Sequence, residues 1–333
     1  MIRHFACLAL IFAASATHAA YCTGTDLRNT LTADEQAEMD RVIEATPYPR
    51  GNHWVARKGR QVIHVIATMH LDDPRWSPVL RALQPVVAQA DLLFVEMSRA
   101  AQDEMQAQLA RDPSRLFIMA GPTLPDLLPR NDWQRLSEAM SARGVPAFMA
   151  AKMQPWMQAM LLGMPVCALA NPGLAERGLD HRLMAAADAA GVPVRSLEGV
   201  DELYDLLAGH GIDAQLEMLK AALAVADDSD DHFISTAALY FDEEIAATWA
   251  FARVLSHRAP DLSPDDIDAA LAAFEARMLD ARNLAWMGPI LAAPEDRIVV
   301  AVGALHLTGE TGILYQLEQA GYRLERAPFY ATP

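Results

Sequence analysis

The chain has few cysteines and lacks the common catalytic signatures. Only three cysteines occur among 333 residues, which excludes a small scaffold held together by many disulfides. No H-E-x-x-H, G-x-S-x-G, G-x-G-x-x-G, C-x-x-C or P-loop pattern occurs, which excludes the most familiar motifs for hydrolysis, nucleotide binding and thiol redox chemistry. Basic residues are also scarce. The net charge of −16 argues against nucleic acid and anionic membranes as partners.

Long apolar runs are missing as well. The two most apolar stretches, 5–14 and 156–170, are shorter than the roughly 20 residues that a membrane-spanning helix needs. The first stretch lies between a basic residue and a run of small residues, which predicts a secretory signal peptide over residues 1–19 rather than an anchor. We therefore expect a periplasmic or secreted domain over residues 20–333, without stable membrane insertion. The second stretch predicts a buried helix followed by a short strand.

Two cysteines, Cys22 and Cys167, belong to this expected mature chain. In an oxidising compartment they could pair and tie the N-terminal segment to the middle of the chain. The sequence does not fix the Cα separation that a disulfide requires, so a bridge and two free buried thiols both stay open.

The chain does contain a repeated alternation of strand and helix patterns. Apolar runs of strand length, bounded by turn residues, predict strands at 62–67, 92–96, 192–197, 298–303 and 322–326. Helical spacing predicts helices at 78–90, 179–190 and 313–320. Residues 200–289 show only helical periodicity, including one long stretch at 238–255 and a helix start at Ser263. We predict an α/β fold with a largely parallel or mixed central sheet flanked by helices, and a helical insertion or cap at about 200–289.

Two of the predicted strands continue into matching sequences. In segments 62–71 and 298–307, an apolar strand runs into a small residue, two spacers, a histidine and a leucine. The carboxyl ends of parallel strands lie at one edge of a sheet, so we expect His70 and His306 in one crevice. The strand at 92–95 delivers Glu96 to the same edge. A lone histidine at a strand end is usually a surface or hydrogen-bonded residue rather than a ligand. Two matched histidines with a glutamate, however, form a plausible set of ligands for a divalent metal.

These segments, together with several shorter ones, resemble the TraB/GumN family, which is related to the TIKI metalloproteases. The resemblance extends from Gly51 to Tyr322. Its pieces, in order, are Ala67–His70 with Asp73–Trp76, Val95-Glu96, Gly178-Leu179-Asp180, Leu197-Glu198, Arg282-Asn283 with Trp286, and Gly303–Gly309. The resemblance implies a metal-dependent, hydrolase-like site made of two G-x-x-H motifs, a glutamate and an arginine. Ala67 stands where the first motif of the family has glycine.

By position, the resemblance implies that His70, Glu96 and His306 hold a divalent cation such as zinc, manganese or cobalt. Glu96 would complete the ligand set or act as general base, and Arg282 would stabilise an oxyanion or bind a substrate carboxylate. From the sequence alone, a helix-surface ion pair is an equal alternative for Arg282. The expected substrate is a peptide or another small molecule with a peptide or ester bond.

Two further readings of the same residues stay open. One is a periplasmic protein that binds haem, metal or a peptide without catalysis, and the other is an interaction protein with a degenerate site, suggested by Ala67.

Overall fold

The computed structural model describes residues 21–209, 211–258 and 263–331. The predicted signal peptide lies outside these residues. Within them, six strands form one sheet. Their bounds are β1 His53–Lys58, β2 Gln61–Thr68, β3 Leu92–Val95, β4 Val194–Ser196, β5 Arg297–Gly303 and β6 Arg323–Arg326.

The strand order places the two histidine-bearing strands side by side. The order is β4-β3-β5-β2-β1-β6, with β2, β3, β4 and β5 mutually parallel and β1 antiparallel to both of its neighbours. Thr68 pairs with Gly303, and Val95 pairs with Ala301. The predicted α/β fold with a mixed sheet is confirmed, and the carboxyl ends of β2, β3, β4 and β5 lie at one edge.

The three central strands are apolar on both faces because helices cover both sides of the sheet. Residues 298–302 of β5 are at most 1% exposed, and β3 is buried throughout. Such strands read as continuous apolar runs, which is why the sequence predicts them. Strand β1 was not predicted, since its buried and exposed positions do not alternate and it ends in two charged residues. A two-residue loop connects it to β2, with Gly59 in the left-handed region at φ 58°.

Sixteen α-helices lie within the described residues. Their bounds are α1 Ala33–Ala45, α2 Trp76–Ala88, α3 Arg99–Arg111, α4 Leu124–Leu127, α5 Arg130–Ala142, α6 Ala147–Ala150, α7 Pro155–Gly163, α8 Val166–Ala170, α9 Leu179–Ala190, α10 Val200–Ala208, α11 Gly211–Ala224, α12 Ser229–Phe241, α13 Ile245–Ser256, α14 Pro264–Glu275, α15 Arg282–Ala292 and α16 Ile313–Gln319. A π-helical turn, Ala276–Ala281, joins α14 to α15 without a break.

Two local predictions were wrong. The strand expected at the end of 156–170 is the short helix α8, which starts after Pro165 and contains alanines that favour helix. The long helical stretch at 238–255 is divided between α12 and α13, because Glu243 takes a left-handed conformation with φ 60°. The helix start at Ser263 is confirmed, since its side chain accepts a hydrogen bond from the backbone N–H of Asp266.

A second apolar cluster lies apart from the sheet. It is built by α4, α5, α6 and α7 together with α11. Helix α11 of the predicted insertion packs on α7, which precedes it by about fifty residues of chain. The helical layer therefore draws on residues before β4 as well as after it, and the exact bounds of the insertion stay a prediction.

Cys22 and Cys167 form a disulfide, with Cα atoms 5.4 Å apart. The bridge fastens the N-terminal segment to α8. It borders a small apolar cluster that contains Leu71, the residue after His70. No helix among the described residues combines the length and apolarity needed to cross a lipid bilayer.

Candidate functional site

Three of the predicted residues surround one point at the carboxyl edge of the sheet. Beyond β5, a 3-10 turn over Ala304–His306 turns the chain back and buries His306. A Cβ atom built on Gly303 would lie 3.1 Å from Glu96 Oε1, 3.5 Å from His306 Cδ2 and 3.9 Å from His70 Nε2. The structure thus brings the two imidazoles and the carboxylate together in one crevice.

Arg282 reaches the same point from α15. Its Nη2 atom donates to Glu96 Oε2 at 2.7 Å, and its Nη1 atom lies 3.1 Å from His306 Nε2. The guanidinium carbon lies 4.7 Å from the centre of the Trp286 ring. Only 11% of the side chain is exposed, so Arg282 does not form a helix-surface ion pair. All four predicted residues belong to one cluster.

Glu198 is a member of the site to which the sequence assigned no role. Leu197 separates Glu198 from the end of β4, whereas Glu96 directly follows β3. Both oxygens of Glu198 accept hydrogen bonds from Arg282, at 2.9 Å from Nε and 2.6 Å from Nη2. Burial lowers the pKa of Arg282, but Glu198 and Glu96 outweigh this and raise it. The guanidinium is therefore a permanent cation fixed between two buried carboxylates. The pattern of an acid after a strand could have identified Glu198.

The partners of His306 define its proton position. Its Nδ1 atom lies 2.7 Å from Asn283 Oδ1, which can only accept, so Nδ1 carries the proton and donates it. Nε2 then keeps its lone pair and accepts from Arg282 Nη1. Burial lowers the pKa of His306 to about 4, because the ring is only 4% exposed and a charge there would be poorly solvated. His306 is thus a neutral imidazole with Nε2 facing the crevice.

A carboxylate also lies beside His70, at a longer distance. Its Nδ1 atom lies 3.5 Å from Asp180 Oδ2, and Asp180 stands in the first turn of α9. Desolvation by the surrounding atoms lowers the pKa of His70, whereas Asp180 and Glu96 raise it, and the raising effects prevail. Solvent reaches 63% of the side chain. Asp180, which belongs to the family resemblance but was assigned no role from it, is the charged partner of His70.

Gly178 allows this arrangement. The N–H of Leu179 donates to Met69 O at 3.0 Å, so the start of α9 lies directly against the end of the His70 loop. A Cβ on Gly178 would overlap the carbonyl carbon and oxygen of His70 and lie 2.6 Å from Asp180 Oδ1. Only glycine permits this approach of two backbones.

Glu96 is the central anion of the site. Its Oε1 atom accepts from the N–H of Gly303 at 2.7 Å, and Oε2 accepts from Arg282. Burial raises the pKa of Glu96, but His306 and His70 when protonated, together with Arg282 and the Gly303 N–H, lower it to about 2. The carboxylate is therefore ionised and fixed by a donor on each oxygen.

A divalent cation was expected on His70, Glu96 and His306, and two observations suit it. Both imidazoles have Nδ1 against an acceptor, which turns Nε2 towards the crevice as in metal-ligating histidines, and the carboxylate is ionised. Two observations oppose it. Arg282 already donates to His306 Nε2 and to Glu96, and the raised pKa of His70 favours a protonated ring, which has no lone pair for a metal. In the part of the chain that the structure describes, no three His, Cys, Asp or Glu side chains are grouped so as to hold a metal ion. As the described side chains stand, with Arg282 Nη1 on His306, they form no cation site.

Comparison with known proteins supports the resemblance seen in the sequence. The TraB/PrgY/gumN family matches residues 52–326, a range that contains the whole sheet and every site residue described above. The proteins named "Uncharacterized protein YbaP" from Escherichia coli (strain K12) and Shigella flexneri are each 28% identical over 273 residues, covering 78% of this chain and 92% of the relative. No solved structure matches the chain. The chain belongs to the TraB/PrgY/gumN family.

Proposed function

We propose that the protein is an exported, metal-dependent hydrolase that cleaves a peptide or ester bond at the crevice between β2, β3 and β5. The observation that supports this most is the convergence of His70 and His306 on the ionised Glu96 at the ends of neighbouring strands. Asn283 accepts from His306 Nδ1 at 2.7 Å, and Asp180 lies 3.5 Å from His70 Nδ1. Fixing two imidazoles by separate partners at the ends of neighbouring strands prepares a site for ligand binding and reaction. Export rests on the apolar segment at 5–14.

Each residue of the site would have a separate role in such a reaction. His70, Glu96 and His306 would hold the cation, which supplies Lewis acidity when bound. Both oxygens of Glu96 already accept hydrogen bonds, so the carboxylate serves better as a fixed negative charge than as a group that moves a proton. Arg282 stays bound to Glu198 through Nε and Nη2. Its Nη1 atom, which donates to His306 Nε2 and to Met278 O, would have to release one of these acceptors in order to donate to an oxyanion.

A chelation experiment tests this proposal. We expect the purified chain to hydrolyse members of a panel of peptides and esters, to lose the activity in EDTA and to regain it with zinc, manganese or cobalt. Replacing both His70 and His306 with alanine should remove the activity and the metal detected by elemental analysis. His257→Ala is the matched control, because that histidine pairs with Asp268 on α14, outside the crevice.

Two outcomes would contradict the proposal. Hydrolysis that survives both EDTA and the double substitution would place the reaction elsewhere. Tight binding of haem or a peptide, without hydrolysis of any substrate in the panel, would favour the binding protein that the sequence left open.

A further inference from the structure

We propose that a cavity bordered by Asn283 is a second binding site, for a small organic ammonium compound that also carries a hydrogen-bond acceptor. This Asn283 cavity has a volume of about 310 Å³ and lies between α1, α13, the end of α14, the start of α15 and the loop after His306. Its volume falls at the lower end of the range for small-molecule sites. The inference goes beyond the proposed function, because it concerns a separate cavity and requires no metal.

The charge of the lining points to a cationic ligand. Glu275, Asp280 and Glu310 line the Asn283 cavity, and none of its described lining residues is Lys, Arg or His. Burial raises the pKa of Glu275 and Asp280 raises it further, whereas a hydrogen bond from Trp249 lowers it in part. A raised pKa of this kind marks a carboxylate that lacks a counter-ion, which a bound ammonium group would supply.

The rest of the lining favours an organic cation over a metal ion. Val42, Ala246, Leu279 and Leu305 give the cavity apolar walls, and Trp249 adds an aromatic ring. An ammonium group is attracted to the face of such a ring, while apolar walls contact the carbon atoms that carry it. No three His, Cys, Asp or Glu side chains of the described residues are grouped so as to hold a metal ion.

Asn283 is a second, independent observation that points to a ligand. Its side chain is buried, since the residue is only 1% exposed, and its Oδ1 atom accepts from His306 Nδ1 at 2.7 Å. Its Nδ2 atom donates to no other described residue, although Asn283 lines the cavity. A buried amide N–H without an acceptor is costly. A ligand with a carbonyl or hydroxyl oxygen next to its ammonium group would satisfy it.

Hydrogen bonds hold the walls of the Asn283 cavity in place before any ligand binds. Thr308 Oγ1 and the N–H of Gly309 both donate to Pro47 O, at 3.1 and 3.0 Å, which fixes the loop after His306 to the chain beyond α1. Thr311 Oγ1 donates to Asp280 Oδ1 at 2.5 Å, which fixes the same loop to the π-helical turn. A cavity that is already formed lowers the entropic cost of binding.

Calorimetry with leucinamide and two matched analogues tests the inference. Leucinamide carries an ammonium group beside a carbonyl; 4-methylpentanamide lacks the ammonium group and 3-methylbutylamine lacks the carboxamide. We expect the first analogue to bind at least about 10-fold more weakly than leucinamide and the second at least about 3-fold more weakly, because each leaves part of the lining without a partner. Leucyl-glycyl-glycine tests whether the ammonium group can belong to a peptide end.

A substitution and a spectroscopic signal locate the binding. Glu275→Gln should weaken leucinamide binding by about 10-fold, since it removes a charged partner. Glu217→Gln is the matched control, because Glu217 pairs with Lys220 on the exposed side of α11, and its affinity should stay within about twofold. In nitrogen NMR of labelled histidine, the Nδ1 signal of His306 should shift at leucinamide saturation, because Asn283 would contact both the ligand and the imidazole.

Three outcomes would overturn the inference. They are the absence of binding by both leucinamide and the tripeptide, equal affinity for leucinamide and 4-methylpentanamide, and leucinamide binding that neither Glu275→Gln nor the His306 signal reports. Because each experiment measures binding rather than hydrolysis, its failure leaves the proposed function standing. Loss of the proposed function would likewise leave these binding results unchanged.

Discussion

Gly178→Ala should destabilise the protein through one defined clash. The φ angle of Gly178 is −59°, which alanine adopts readily, so the backbone conformation costs nothing. The new methyl group would overlap the carbonyl of His70 and lie 2.6 Å from Asp180 Oδ1. Carbonyl atoms of the backbone cannot rotate away as a flexible side chain can. We expect a loss of about 3 kcal/mol, the upper end of the usual range for overpacking.

Urea denaturation measures this loss, and a second glycine supplies the control. Gly163 lies in α7, and a Cβ there would meet no atom within 4 Å. Gly163→Ala should leave the free energy of unfolding unchanged or raise it by up to about 1 kcal/mol, because alanine favours helix over glycine. The same added methyl group should therefore have effects of opposite sign at the two positions. A Gly178→Ala protein as stable as the unmodified one would refute the close approach on which the orientation of His70 depends.

Three more predictions concern stability, each measured as the free energy of unfolding. Replacing Cys22 and Cys167 with serine should lower the free energy of unfolding by about 5 kcal/mol in the chain-entropy model, because the bridge spans 145 residues. The unmodified protein in reductant should fall to the same value. Equal stability with and without the bridge would contradict this prediction. Burial lowers the pKa of His64 to about 4, below the unfolded value of about 6.5. Its contribution of up to about 3 kcal/mol to the free energy of unfolding is therefore complete above pH 6.5 and is lost as pH falls towards 4. His64→Gln should flatten this dependence of stability on pH, and an unchanged dependence would argue against the account. Arg143→Met should lower the free energy of unfolding by about 3 kcal/mol or more. The buried guanidinium donates to four backbone carbonyls and one hydroxyl, and these acceptors would lose their partner. A loss below about 1 kcal/mol would contradict this account.

The central strands and the strand-end residues were predictable because they follow from local rules. A strand buried on both faces must be apolar along its length, and the ends of parallel strands must share one edge. These two rules identify β2, β3 and β5 and bring His70, Glu96 and His306 to one place. Arg282 was located by family resemblance, since nothing in its own helix distinguishes it from a surface arginine.

The residues that orient the site were harder to predict, because their roles depend on neighbours distant along the chain. Asp180 looks like an ordinary helix-start acid until Gly178 places it against His70. Asn283 acquires its role from a histidine 23 residues later. The contact between α7 and α11 was not predicted for the same reason, since helices this far apart in the chain meet only by tertiary packing.

The π-helical turn at Ala276–Ala281 has a consequence for how insertions and deletions affect this protein. Such a turn holds more residues than an α-helical turn, so deleting one residue from it would let α14 and α15 merge into a regular helix that still folds. Each residue of an α-helix advances the side chains by about 100°, so the deletion would rotate Arg282 away from the crevice. The helix would remain, but the Arg282 side chain would no longer point into the crevice.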